Sequence, residues 1–254
     1  MMKIDVQFIS SPSLSEAHRA AMWRVYHQYY HYSQRAFMQR INNNNYFAMY
    51  HIKGELIGFS GLRINRVHVA GKSRLLIYFG QTIIEKAYRG QSIIPITGAK
   101  LCAKYFWELI SGKVYFWADA LSYKAYLVFA KTLEEYYPNY QSPNTEEINA
   151  LIDHIGQQFY ANSYCPKSQT VKKTKRLVND ATANIYPSDL KDEDIRFYLK
   201  ANPACRQGHG LITIAPVNRK NIGRLIRRYW SKWWEGHGTK EQKKWIKKPQ
   251  SFVA

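Results

Sequence analysis

The sequence is short of cysteine, of acidic residues and of long apolar runs. Only three cysteines occur in 254 residues, Cys102, Cys165 and Cys205. None stands in a CxxC pair or a Cys/His cluster, which argues against a disulfide framework and against a metal site. A reducing, cytoplasmic setting fits that usage. No run of about 18 apolar residues is present, which excludes a transmembrane helix. The start, Met1-Met2-Lys3-Ile4-Asp5-Val6, lacks the apolar stretch of a signal peptide and reads as a first strand. Acidic residues number 18 against 37 basic ones, a formal net charge of +19. Such an excess favours polyanionic partners such as nucleic acid, anionic lipid or phosphorylated ligands, and says nothing about fold. The basic residues crowd after Lys167, in Lys172-Lys173-Thr174-Lys175-Arg176, Arg227-Arg228 and Lys243-Lys244.

What is present supports a packed core. The hydrophobic share is 46%, and the length suits one large domain, or an ordinary domain with an extension. Residues 4–9 alternate as a strand. Apolar residues then recur at helical spacing from Leu14 to about Phe37, with Ser13 or Ser15 placed to cap. Residues 46–52, 56–69 and 74–86 read as three strands of an antiparallel meander, turned at Gly54 and Gly71. A helical pattern covers 93–110, with Pro95 tolerable in its first turn. Residues 114–118 form a strand, 122–137 a helix and 146–160 an amphipathic helix. The order is β-α-β-β-β-α-β-α, an α/β (α+β) class. Residues 1–162 form the main domain by this reading and 163–185 a basic linker or exposed hairpin. Residues 186–254 form a helix–strand–helix extension.

The junction at Tyr88-Arg89-Gly90-Gln91-Ser92-Ile93 is where chemistry is expected. A strand enters a glycine turn that opens a helix. The first N–H groups of a helix lack intrahelical partners and carry partial positive charge, so a pyrophosphate fits there. Gly90 permits close approach, Arg89 adds a charge, and Ser92 can cap the helix or donate to a phosphate oxygen.

This arrangement resembles the GNAT (GCN5-related N-acetyltransferase) superfamily, in which a Tyr-Arg-Gly-x-Gly type loop wraps the pyrophosphate of acetyl-CoA or acyl-CoA. The likeness spans roughly residues 3–140 and departs at Ala87, where the family has Arg or Gln, and at Ser92, where it has a second Gly. It implies a mixed, mostly antiparallel sheet flanked by helices. It also implies two strands that splay to admit the pantetheine arm, beside Ile83 and Ile84. The family helix Asn-x-x-Ala-x-x-x-Tyr is matched by Asp119, Ser122 and Tyr126. That makes Tyr126 the implied general acid, with Tyr123 a nearby substitute. Glu85 and Asp119 are the candidate bases for the acceptor amine. The implied reaction is transfer of an acetyl or longer acyl group, from acyl-CoA or an acyl carrier protein, to an amine. Two other readings stand beside it. One is a non-catalytic binder of nucleic acid or membrane on this scaffold. The other is an acyl-amino-acid or acyl-homoserine-lactone type synthase.

Residues 218–234 form a basic aromatic helix with Ile222, Leu225, Ile226, Tyr229 and Trp233 on one face. It suits a docking helix over the sheet, an anionic membrane surface, or single-stranded nucleic acid. A membrane role would place the protein peripherally. His209, between Gly208 and Gly210, is a further candidate substrate residue, because its titration range suits a base.

Overall fold

The expected first strand forms as β1 (Asp5–Ser10). Ser15 starts the first helix: its hydroxyl accepts the His18 amide, and the His18 ring accepts the Ser15 amide, both at 3.2 Å, a reciprocal cap. The helix expected over 14–37 is two helices, α1 (Glu16–Tyr26) and α2 (Gln34–Ile41), with the short β2 (Tyr30–His31) between them. Ser33 opens α2 by accepting the Ala36 amide. Periodicity hides the break because Met22, Val25, Tyr26, Phe37 and Ile41 all bury into one cluster.

The meander forms as β3 (Tyr46–Ile52), β4 (Glu55–Val69) and β5 (Lys72–Ile84). Helix α3 (Ile93–Lys104) carries Pro95 in its first turn, where a missing N–H costs no hydrogen bond. The pattern expected to run to Ile110 breaks at Tyr105 (φ −109°), and α4 (Phe106–Ile110) is a separate turn. Strand β6 (Val114–Ala120) leads into α5 (Tyr123–Thr132). That helix ends before the expected 137, because Leu133 is extended and Tyr137 bridges to Ile214 of the sheet. Helix α6 (Glu146–Tyr160) follows as expected. After it come β7 (Tyr164–Cys165), β8 (Thr170–Lys172), β9 (Leu177–Val178), α7 (Glu193–Ala201), β10 (His209–Pro216) and α8 (Arg219–His237).

These coordinates form a computed structural model that describes residues 4–31, 33–173, 177–178 and 184–237. Side chains of His31, Leu177, Val178 and 229–237 lie outside the description, and with them Tyr229 and Trp233 of the expected helix face. No described helix is long and apolar enough to cross a membrane.

Eight strands make one sheet in the order β1-β3-β4-β5-β6-β10-β8-β7, and β2 pairs with β9 apart from it. Only β5 and β6 run parallel among these neighbours. This is the mixed, mostly antiparallel sheet flanked by helices that the resemblance implies. Residues beyond the expected boundary near 185 contribute to this same sheet. Strand β10 is an interior strand, paired from Leu211 to Pro216 with Ala120 to Tyr115 of β6. The expected linker also reaches the sheet through β7 and β8, and Thr170 and Val171 are buried. Backbone groups on the β6 edge need partners, and the C-terminal half supplies them.

One sheet face packs Ile77, Phe116, Leu211 and Ala215 into a cluster with Leu101 of α3, Tyr126 and Phe129 of α5 and Tyr198 of α7. On the other face Phe47, Met49 and Phe59 pack with α1 and α2. Tyr78, Trp117 and Ile214 pack there with α6.

Candidate functional site

Two residues of β5, Gln81 and Thr82, stand against one residue of β4, Ser60: the register reads Phe59↔Ile83 and then Gly61↔Gly80. This is a β-bulge, which bends its strand. Gln81 takes φ 47°. Side chains fix the bulge. Ser60 Oγ lies 2.9 Å from Thr82 Oγ1 and accepts the Tyr50 hydroxyl at 2.6 Å. Asn44 donates to Gln81 Oε1 at 2.6 Å.

The bend separates β5 from β6. Their pairing runs from Leu75↔Val114 to Tyr78↔Trp117 and stops, although the strands continue to Ile84 and Ala120. Beyond that point a cavity of about 440 Å³ opens. Gly80, Gln81 and Thr82 line one side of the wedge, and Ala118 and Asp119 the other. Tyr29 and Tyr30 close it from the α1 face, while Ile94, Pro95 and Phe129 close it from the α3 and α5 face.

The start of α3 stands at this cavity. Arg89 and Gly90 both line it. Gly90 has φ 81°, and a Cβ built on it would meet nothing within 4 Å, so the position faces open space. Ser92 is also left-handed (φ 59°, ψ 24°), and its side chain makes no cap bond. Non-glycine residues in that region are strained and cluster at functional sites. The Arg89 Nε donates to the Ile84 carbonyl at 2.9 Å, and its guanidinium lies 4.7 Å from the Tyr29 ring centre. The cation is thereby held against the cavity wall.

The other residues picked from sequence divide. Ile83 and Ile84 line the cavity. Ile93 is buried in the core instead, and its neighbours Ile94 and Pro95 face the cavity. Tyr88 packs half-buried against the core, and Gln91 is half-exposed beside the loop. Glu85 is half-buried outside the lining, with its amide donating to the Ile57 carbonyl at 2.9 Å. Tyr126 does not reach the cavity. It is wholly buried, donates to the Pro138 carbonyl at 3.0 Å and packs on Tyr136, Phe197 and Tyr198. Burial pushes its hydroxyl pKa well above the ordinary phenol range. Ser122, Ala125 and Phe129 form the cavity face of α5, and one step around the helix turns Tyr126 away. Tyr123 also points elsewhere, 3.4 Å from the Asn184 carbonyl and 3.5 Å from Asp189 Oδ2. Burial raises its pKa too. His209 pairs with Lys172 across β10 and β8, and its carbonyl accepts from Asn202 at 2.8 Å. Gly208 (φ 83°) makes the turn before β10, and Gly210 lies within the strand opposite Val171.

Asp119 is the sequence-picked carboxylate that the fold brings to the wedge. It accepts the Tyr78 hydroxyl at 3.0 Å on each oxygen, and also the Tyr160 hydroxyl and Lys173 Nζ. Arg63 stacks 4.1 Å from the Tyr78 ring centre. A Cβ on Gly80 would stand 1.9 Å from Tyr78 Cε1, so glycine is required where that ring crosses. Sequence reading missed Tyr78, Tyr160, Lys173 and Gln81, since no local motif joins residues from β5, α6 and the segment after β8. Among the described residues no group of three or more His, Cys, Asp or Glu side chains could hold a metal ion.

No family model matches the chain, and no curated protein sequence matches it. Solved structures do. A ribosomal-protein-alanine N-acetyltransferase from Brucella melitensis is 13% identical at a TM-score of 0.41, covering 57% of this chain and 99% of that one. An aminoglycoside 6'-N-acetyltransferase from Acinetobacter haemolyticus is 16% identical at a TM-score of 0.38, covering 57% and 94%. The AtaT toxin, solved with its antitoxin's C-terminus and acetyl-CoA, is 14% identical at a TM-score of 0.34, covering 51% and 82%.

Proposed function

We propose that this chain is an acyltransferase that moves an acyl group from an acyl-CoA, or an acyl carrier protein, to an amine. The wedge between β5 and β6 carries the reading. Past Tyr78 and Trp117 the two strands no longer pair. Backbone groups there are left to hydrogen-bond an extended, amide-bearing arm, since strand edges recruit such partners.

The residues present suit a CoA-type donor. Ile83, Ile84, Ile94 and Pro95 offer apolar wall, as an aliphatic arm requires. Gln81 Nε2 is buried in that wall without a hydrogen-bond partner, a donor kept for an acceptor yet to arrive. At the mouth, the α3 N-terminus, Gly90 and the Arg89 cation suit a pyrophosphate. Such a donor, when bound, supplies a thioester carbonyl open to attack by an amine. The chain's part is alignment: the bulge fixes the wedge, and the two helices beside it exclude water. Asp119 stands at the wedge to orient an incoming ammonium. With Tyr126 turned away, the departing sulfur takes its proton from the attacking nitrogen or from water.

Thermal unfolding tests this. Acetyl-CoA at about a hundred times its Kd should add about 2.7 kcal/mol of stability. Gly90→Trp should remove that gain; its Cβ meets nothing within 4 Å, but φ 81° strains any side chain, so the variant's own Tm without ligand is the reference. A wild-type protein that gains nothing from CoA, acetyl-CoA or a longer acyl-CoA sinks the proposal. Salt-sensitive nucleic-acid binding in its place would favour a non-catalytic role.

A further inference from the structure

Among the described residues, the charged side chains that line the cavity are Arg89, Asp119 and Lys124. All three stand where β6 ends and where α3 and α5 begin. Beyond that end the lining along α5 is uncharged, with Thr132 its polar member. Val128 and Phe129 face the space from α5, Gly98 from α3 and Leu225 from α8. The rings of Phe79 and Phe116, edge to face at 5.3 Å, form its floor on the sheet. From Ala125 to Leu133 this apolar lobe follows α5 for about 12 Å. It is continuous with the wedge, within the same cavity of about 440 Å³.

Gly98 argues that the lobe is more than a packing remainder. It is buried within α3, where glycine is a poorer helix former than alanine. A Cβ built there would meet only the Phe116 ring, at 3.7 Å, an ordinary contact. Sterics therefore do not require glycine at this position, and its bare backbone widens the lobe. Apolar walls of this kind suit an alkyl chain, which gains by leaving water.

We propose that this lobe receives the acyl tail of the donor, so that the preferred donor carries a straight alkyl chain of medium length rather than acetyl. The inference rests on the acyltransferase reading. With the pyrophosphate at Gly90 and the thioester at the wedge, an acetyl group stops at the wedge. A longer chain continues over Phe116 toward Leu225, and each further CH2 that is buried strengthens binding. Gly98 on α3 and Val128 on α5 wall the lobe from two helices and set its width.

The test uses the full chain with CoA, acetyl-CoA, butanoyl-CoA, hexanoyl-CoA and octanoyl-CoA, read as Kd by calorimetry and as Tm. Each added CH2 that enters the lobe should tighten binding by up to about fourfold, so hexanoyl-CoA should bind at least about tenfold more tightly than acetyl-CoA. Gly98→Leu and, from the other helix, Val128→Trp should bring that ratio to about one, each variant being read against its own unliganded Tm. Gly98→Ala should raise the unliganded Tm. A fall would make the bare position a requirement of the fold and overturn the inference. Equal or weaker binding of the longer donors to wild type, or a wild-type ratio in both filled variants, also overturns it and leaves the acyltransferase reading standing. Absence of binding by every member of the series overturns both.

Discussion

Tyr78 and Tyr126 are both buried tyrosines, and only their neighbours separate their roles. Tyr78 lies over Gly80 and donates to Asp119 at the wedge. Gly80→Ala should force the ring off that position. Overpacking of this kind costs about 1–3 kcal/mol, and the loss should appear as a lowered Tm in calorimetry. Tyr126 donates to the Pro138 carbonyl behind α5. Tyr126→Phe should cost about 1 kcal/mol of stability, the net worth of one hydrogen bond, and leave turnover unchanged. A tenfold fall in kcat with Tm unmoved would return Tyr126 to the chemistry. The sequence placed both residues on the right elements. It could not show which way Tyr126 points, since a helical step of one residue turns a side chain by about 100°.

At the scale of elements, the wedge is made by the β5 bulge and kept by what grips β5 elsewhere. Arg74 near the start of β5 donates from Nε to Glu147 of α6 at 3.0 Å. The Arg74 hydrogen bond, with the charges of Arg74 and Lys72, holds the Glu147 carboxyl below its ordinary range against partial burial. A lowered carboxyl pKa contributes stability above the ordinary glutamate value, lost as pH falls through the lowered one. Glu147→Gln should therefore lose less Tm than wild type between about pH 6 and about pH 3. Equal losses would assign the acid sensitivity to other groups. The strands and helices around the bulge were legible from period and turn residues. The bulge was not, because Gln81 and Thr82 continue a β-like run, and only pairing against Ser60 reveals the extra residue.

For the whole molecule, the question is where the folding unit ends. Strand β10 covers the β6 edge over six residues, and Asn221 of α8 accepts the Glu134 and Glu135 amides at 2.8 Å. A fragment of residues 1–162 would expose that edge, together with Phe116 on one face, which Leu211 helps to bury, and Trp117 on the other, which Ile212 and Ile214 help to bury. It should aggregate or lack a cooperative thermal transition, whereas the full chain should unfold cooperatively. A soluble, cooperatively folding fragment would restore the two-part division. Composition suggested that division, since basic residues crowd after Lys167, but charge describes a surface and not a fold.

The sequence by itself determined the class of fold, the meander and the loop from Tyr88 to Ser92. Those features rest on local rules: period, turn chemistry and the unpaired amides of a helix start. Tertiary structure decided that β10 completes the sheet, that Tyr126 faces away and that Asp119 meets Lys173. These last two residues stand 54 positions apart. Their meeting follows from strand order and register across the sheet, which no local pattern encodes.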